Sequence, residues 1–195
     1  QRIMLIKTIS ALLVTGCLFT ASSAIAGEIH LSTGDSTLLA KMHGDHSMMM
    51  GDMNPAVHQL HMDAMAVQTF YEMLSNPNDP DLAMKAAEVI DVNWDSEPTP
   101  RGGDGLDGFV KSVQAFGQII PNLNWNPQEV LKDGNRYIVR SIATGTPVQP
   151  FFGVAPTGKS FQIMSIDIHT VENGKIMSSY HIEEWATAIQ QLKAQ

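Results

Sequence analysis

Two clusters of side chains in the 195-residue chain have types and spacings suited to chemistry. The first, KMHGDHSMMMGDMNPAVHQLHMDAM, runs from Lys41 to Met65 and holds seven of the twelve methionines and four of the seven histidines. Thioether sulfur with imidazole is a donor set for copper(I), while methionine also serves as filler on irregular apolar surfaces. His58, His61, Met62 and Met65 recur at i, i+3, i+4 and i+7, one face of a helix. His43, His46 and Met48 supply further candidate copper ligands from the segment before it. The alternative is a methionine-rich partner surface or a tolerated leader. The second cluster lies in SFQIMSIDIHTV. There Asp167 and His169 alternate with Phe161, Ile163 and Ser165, while Met164, Ile166 and Ile168 take the other face of a strand. An Asp and a His on one face suit a base and its orienting partner, or a hydrogen-bonded structural pair at a sheet rim. His181 falls one strand further on, facing either a pocket or the outer surface.

Other chemistries are excluded. A formal charge of −8 with no Lys/Arg cluster argues against nucleic acid. APTGK has too little glycine and no following helix to be a phosphate loop. No G-x-S-x-G or zinc-type Cys/His spacing occurs.

The elements that must position these residues follow from pattern. Residues 1–26 carry Arg2 and Lys7, an apolar run and Ala-Ile-Ala, which reads as a cleaved signal peptide for a periplasmic or secreted protein. LVTGC offers lipid attachment at Cys17 as the alternative. The mature chain then has no cysteine and no membrane span. Residues 27–54 form a Met/His-rich leader without sustained period, and the domain occupies 55–195. Asn54-Pro55 opens a long helix whose apolar stripe is Val57, Leu60, Ala64, Val67, Tyr71 and Leu74. NPNDPD ends it, LAMKAAEVI is a second helix, VNWDSEPTPRGG a brief extended piece and loop, and DGLDGFVKSVQAFGQII a third helix stopped by Pro121. Strands then pair about Asp133-Gly134-Asn135 and about Asn173-Gly174, both hairpin signals. A final helix shows Trp185, Ala188, Ile189 and Leu192 on one face. Helices followed by antiparallel hairpins make an α+β fold.

FYEML, GGDGLDGFVKSVQAF, IPNLNWNPQEVLKDGNRYIVRSIATGT, FFGVAPTGKSF, IDIHTVENGKI and HIEEWATAIQQL, in this order from about Ala66 to Leu192, carry a resemblance to a family. They resemble the SnoaL-like polyketide cyclases, or ester cyclases, of the nuclear-transport-factor-2-like superfamily. The resemblance implies a cone, a curved antiparallel sheet with the N-terminal helices on its concave face, around a pocket for a small hydrophobic ligand. It also implies an acidic residue near the chain end that acts as base in an intramolecular aldol closure, and a homodimer through the sheet. Such a base needs an apolar, water-poor site that lifts its pKa, and the enolate oxygen needs a polar partner.

The family's terminal His-Trp…Asp corresponds here to Ser179, Tyr180 and Glu184, and the early Asp-His segment to VNWDSEP, with Trp94 and Asp95 but no histidine. The family's Pro-Asp is Pro121-Asn122. Glu184 therefore takes the acidic position, or with Glu183 merely complements the dipole of the last helix. Candidate pocket residues are Trp94, Asp95, Phe116, Trp125, Phe151, Phe152 and Tyr180, with Phe151 and Phe152 displayed on a Pro/Gly loop as a lid. The expected function is ligand binding with proton transfer or aldol cyclisation, with catalysis left open and no cofactor required. Copper binding through the Met/His segment, or a pure interaction module, is the alternative.

Overall fold

The structure, a computed structural model, describes residues 55–194. The expected signal peptide, the leader, Cys17, His43, His46 and Met48 lie outside the described residues.

Pro55 begins helix α1 (Pro55–Ser75), and Asn76 to Asp81 turn the chain into α2 (Leu82–Val89). Ile90, expected to end that helix, instead begins strand β1 (Ile90–Glu97), where Ile90, Val92 and Trp94 favour extended backbone. Helix α3 (Gly105–Ile119) stops before Pro121. Then come β2 (Asn124–Asp133), β3 (Arg136–Gly145), β4 (Phe161–Glu172), β5 (Lys175–Glu183) and helix α4 (Trp185–Lys193). Among the described residues no helix is long and apolar enough to cross a membrane.

The strands form one open sheet in the order β1-β5-β4-β3-β2. β2 to β5 pair antiparallel as expected, and β1 adds to the edge parallel to β5. Shifts in register within the β1–β5, β2–β3 and β4–β5 pairs bend the strands, and the sheet curls without closing. The helices gather on its concave side: α1 against β2, β4 and β5, α3 against β1, and α4 against β4. On β4 the concave side takes Phe161, Ile163, Ser165, Asp167, His169 and Val171, all buried.

The buried side of α1 shares Val67 and Tyr71 with the expected stripe but is rotated from it. Asp63, Ala66, Val67, Phe70, Tyr71 and Met73 face inward, while Val57 and Leu60 are only half-buried. The reason is Asp63, a carboxylate on the covered side that apolar periodicity cannot register. Its Oδ1 accepts the Gly174 backbone N–H at 2.8 Å and Gln59 Nε2–H at 2.7 Å. Gly174 and Asn173 form the β4–β5 turn with φ of 73° and 53°, the type I′ geometry that Asn-Gly favours. Asp63 thus ties α1 to the β4–β5 hairpin.

Replacing that carboxylate leaves a turn N–H without its partner. Asp63→Ala is expected to lower unfolding free energy by about 1–3 kcal/mol, with Asp63→Asn costing less, measured by urea denaturation. A wild-type midpoint in Asp63→Ala would remove Asp63 from this role.

Candidate functional site

Between the concave sheet face and α1, α3 and α4 lies a cavity of about 660 Å³ of empty space, partly open to solvent. Apolar side chains from Phe70, Leu74, Phe109 and Val113 line it, as do all three tryptophans of the chain, Trp94, Trp125 and Trp185. Its titratable wall is narrow: Asp167 on β4 and His181 and Glu183 on β5. Cross-strand pairing sets these positions, since Ser165 opposes Glu183, Asp167 opposes His181 and His169 opposes Ser179. Directly opposed residues share a face, so three polar pairs stand in a row under the helices.

Two hydrogen-bond chains converge on one oxygen of Asp167. An indole N–H can only donate, so Trp94 Nε1–H donates to Ser179 Oγ at 3.0 Å, and the Ser179 hydroxyl turns to His169 Nδ1 at 2.8 Å. His169 is then protonated on Nε2, which donates to the Tyr71 oxygen at 3.0 Å, and the Tyr71 hydroxyl donates to Asp167 Oδ2 at 3.0 Å. The second chain runs from Trp125 Nε1–H to Ser165 Oγ at 2.9 Å, and from that hydroxyl to the same Oδ2 at 3.4 Å. Asp167 Oδ1 has no hydrogen-bond partner among the described residues.

The charge states follow from these surroundings. Burial lifts the Asp167 carboxyl to about 7; the Tyr71 hydrogen bond opposes this, nearby Glu183 adds to it, and His181 and Ser165 oppose it. Burial, and secondarily the charge of His181, push His169 down to about 3, so it stays neutral. Burial and the Asp167 charge hold the Tyr71 hydroxyl well above the usual tyrosine range. His181 behaves oppositely. Burial works against its charge, but the hydrogen bond and charge of Glu183, with the Pro98 carbonyl and Asp167, outweigh it and raise the pKa. Its Nδ1 meets Glu183 Oε1 at 2.7 Å and its Nε2 the Pro98 carbonyl oxygen at 2.9 Å. Neither acceptor can donate, so both ring nitrogens carry protons and His181 is an imidazolium. A carboxyl poised near neutrality beside a fixed cation, in an apolar wall, is equipped to remove a carbon-bound proton.

Of the residues singled out from sequence, Asp167, His181, Trp94, Phe116 and Trp125 come together in this cavity. His169 sits behind the wall, tied to Asp167 through Tyr71. Glu184 does not line it. It is exposed at the start of α4, where its Oε2 accepts the Met164 backbone N–H at 3.1 Å, and Glu183 takes the wall instead. Asp95 is exposed because Trp94 and Ser96 take the inner side of β1. Tyr180 lies on the outer face, its ring 5.7 Å from the Arg136 guanidinium. Phe151 is buried and Phe152 half-exposed around a neighbouring cavity. His58 and His61 are half-buried on α1, and Met62 and Met65 exposed, with Met62 packed over Gly174. Among the described residues no group of three or more His, Cys, Asp or Glu side chains could hold a metal ion. Tyr71, Ser165, Ser179, Glu183 and Trp185 were not identified as site residues from sequence. The signals that point at any of them are the polarity of Ser165 on an otherwise apolar strand face and the place of Ser179 in the family's terminal motif.

Comparisons with known proteins agree with this architecture. A family model described as SnoaL-like polyketide cyclase matches residues 64–192. A proposed polyketide cyclase from Bacillus cereus ATCC 10987 is 25% identical, with a TM-score of 0.59 over 71% of this chain and 87% of that one. TsrD from Streptomyces laurentii is 16% identical, with a TM-score of 0.61 over 74% and 100% of the two chains. A SnoaL-like polyketide cyclase from Agrobacterium tumefaciens is 18% identical, with a TM-score of 0.56 over 67% and 97%. The latter two show the fold alone. No curated protein matches the chain in sequence.

The raised Asp167 pKa has a stability signature. As pH rises, the unfolded chain ionises Asp167 near 3.8 and the folded one only near 7. The stability present below pH 4 is therefore lost progressively as pH rises through 7. Asp167→Asn does not ionise, so relative to wild type it should gain roughly 2–4 kcal/mol between pH 4 and pH 8. Urea midpoints across that range check this; a difference independent of pH would contradict the raised pKa.

Proposed function

The chain belongs to the SnoaL-like polyketide cyclase family, and on that premise we propose that it binds a small, largely apolar carbonyl compound in the Asp167 cavity and removes a proton from the carbon beside the carbonyl. Asp167 Oδ1 accepts the proton. The C–H electron pair becomes the new carbon–carbon π bond, and the carbonyl π pair moves onto oxygen as an enolate. The His181 imidazolium, opposite Asp167, offsets the negative charge that passes from carboxylate to ligand. From the enolate, return of the proton gives exchange, whereas attack on a second carbonyl of the same molecule closes a ring, moving that carbonyl's π pair onto its oxygen, which takes the proton from Asp167. In both cases Asp167 ends as it began.

The observation that carries this assignment is the half-free carboxyl of Asp167, with Oδ2 anchored, Oδ1 unengaged and its pKa about 7. Glu184 is not needed. Burial of the carboxyl among the surrounding aromatic and aliphatic walls both lifts the pKa and strengthens the charge interactions.

Deuterium uptake beside the carbonyl of aryl ketones and β-keto esters, followed by proton NMR, tests the reaction. Wild type should catalyse uptake with a rate rising through about pH 7, and Asp167→Asn should lose roughly hundredfold or more. Equal rates in the two proteins would sink the assignment.

The outer face of the sheet favours a homodimer. Ile166 and Ile182 are directly paired there, beside exposed Met164 and Tyr180, and a contiguous apolar patch of this kind marks an interface. Ile182→Lys is expected to shift the protein toward monomer in light scattering after size exclusion. A wild-type monomer would end this proposal and leave the catalytic one intact.

A further inference from the structure

A second cavity, open to solvent and about 520 Å³ in empty space with that opening included, adjoins the first, and Ser112 and Phe116 line both. Its walls are Phe116, Ile119, Pro150, Phe151 and Phe152, with one charged residue, Arg101. We infer that this cavity is the subsite for the carboxylate arm of an organic acid, anchored by Arg101, so that the ligand of the Asp167 cavity is a keto acid with an apolar body.

Three observations support this. First, the guanidinium is exposed at the edge of this cavity and has no anionic partner among the described residues. It stands over the Phe152 ring, 5.8 Å from the centroid. A guanidinium beside an apolar wall pairs readily with a carboxylate through its planar fork.

Second, the two segments that bring Arg101 and Phe152 together are held in place. The Arg101 loop is fastened to α3 by Gly102 N–H to Ser112 Oγ at 2.9 Å, and closed by Gly103 N–H to the Pro100 carbonyl at 2.9 Å. It packs so closely that a side chain at Gly108 would strike the Gly103 carbonyl. Opposite, Phe151 and Val154 exchange two backbone hydrogen bonds of 2.9 Å around Phe152 and Gly153, at φ of 46° and 77°. Asn or Gly is the usual first residue of such a turn, and a bulky side chain at positive φ is strained. Here that strained position places an aromatic ring against both Arg101 and Trp185, the latter with centroids 5.9 Å apart.

Third, the charges orient a two-ended ligand. In the first cavity the His181 imidazolium offsets Glu183, so the net charge is that of Asp167, which repels an anion once ionised, whereas Arg101 attracts one. An acid enters with its carboxylate toward Arg101 and its ketone toward Asp167. The inference rests on ligand binding in the Asp167 cavity.

Benzoylpropionic acid, an aryl keto acid, and its methyl ester are the probes, titrated calorimetrically into wild type and Arg101→Gln. The acid should bind wild type roughly fivefold more tightly than the ester, the scale of one partly exposed ion pair. The gap should narrow as salt is raised and close in Arg101→Gln. Equal affinities in wild type, or a preference that survives Arg101→Gln, would overturn the subsite while leaving the cavity assignment standing. Binding of neither compound would overturn both.

Discussion

A carboxyl group beneath a helix layer survives only if the fold brings donors to it. An unpartnered buried polar group costs about 1–3 kcal/mol in proteins, and a buried charge much more. Here one oxygen of Asp167 receives two hydroxyl protons, from Tyr71 on α1 and Ser165 on its own strand. Each hydroxyl chain begins at an indole that can only donate. The rest of the site depends on this arrangement, because it leaves the other oxygen available and fixes the tautomer of a histidine 98 residues from Tyr71 in sequence. The donors come from α1, β1, β2 and β5, so the whole fold must assemble before the carboxyl is held.

The same groups divide their roles by environment. His169 and His181 lie on neighbouring strands and face the same interior, yet one is neutral and the other charged. His169 is enclosed, with a serine and a tyrosine as partners, neither of which compensates a positive charge. His181 is at the rim of the cavity, between a carboxylate and a carbonyl. The Glu183–His181 pair is thereby close to neutral overall, and the charge of the site is governed by Asp167.

Much of this was legible in the sequence, for identifiable reasons. Helix period and the Asp-Gly and Asn-Gly turns located the helices and both hairpins, and strict alternation put Asp167 and His169 on one face. What escaped was phase. KIMSSYHIEE has no clean alternation, and a register shift near Thr170 and Val171 decides that His181 and Glu183 turn inward while Tyr180 turns out. Position 184 matched the family pattern along the chain, but inward parity ends at 183 before α4 starts at Trp185. On α1 the buried Asp63 serves polar partners, so the apolar stripe misjudged the helix rotation although it included the buried Val67 and Tyr71. The parallel pairing of β1 to β5 was invisible because strand partners distant in sequence leave no local mark.

The polarity of β4 has a consequence for how the chain reaches this state. At its centre the strand is inside out: Ser165, Asp167 and His169 are covered while Met164 and Ile166 face solvent. A slip of one residue would exchange those sets and bury more oil-like surface. Burial alone therefore rewards the wrong alignment in the middle of the sheet. The native one is selected by Phe161, Ile163 and Val171 at the strand ends and by the arrival of Tyr71. Local frustration of this kind is the mark of a strand whose sequence was shaped by what it must present rather than by ease of folding.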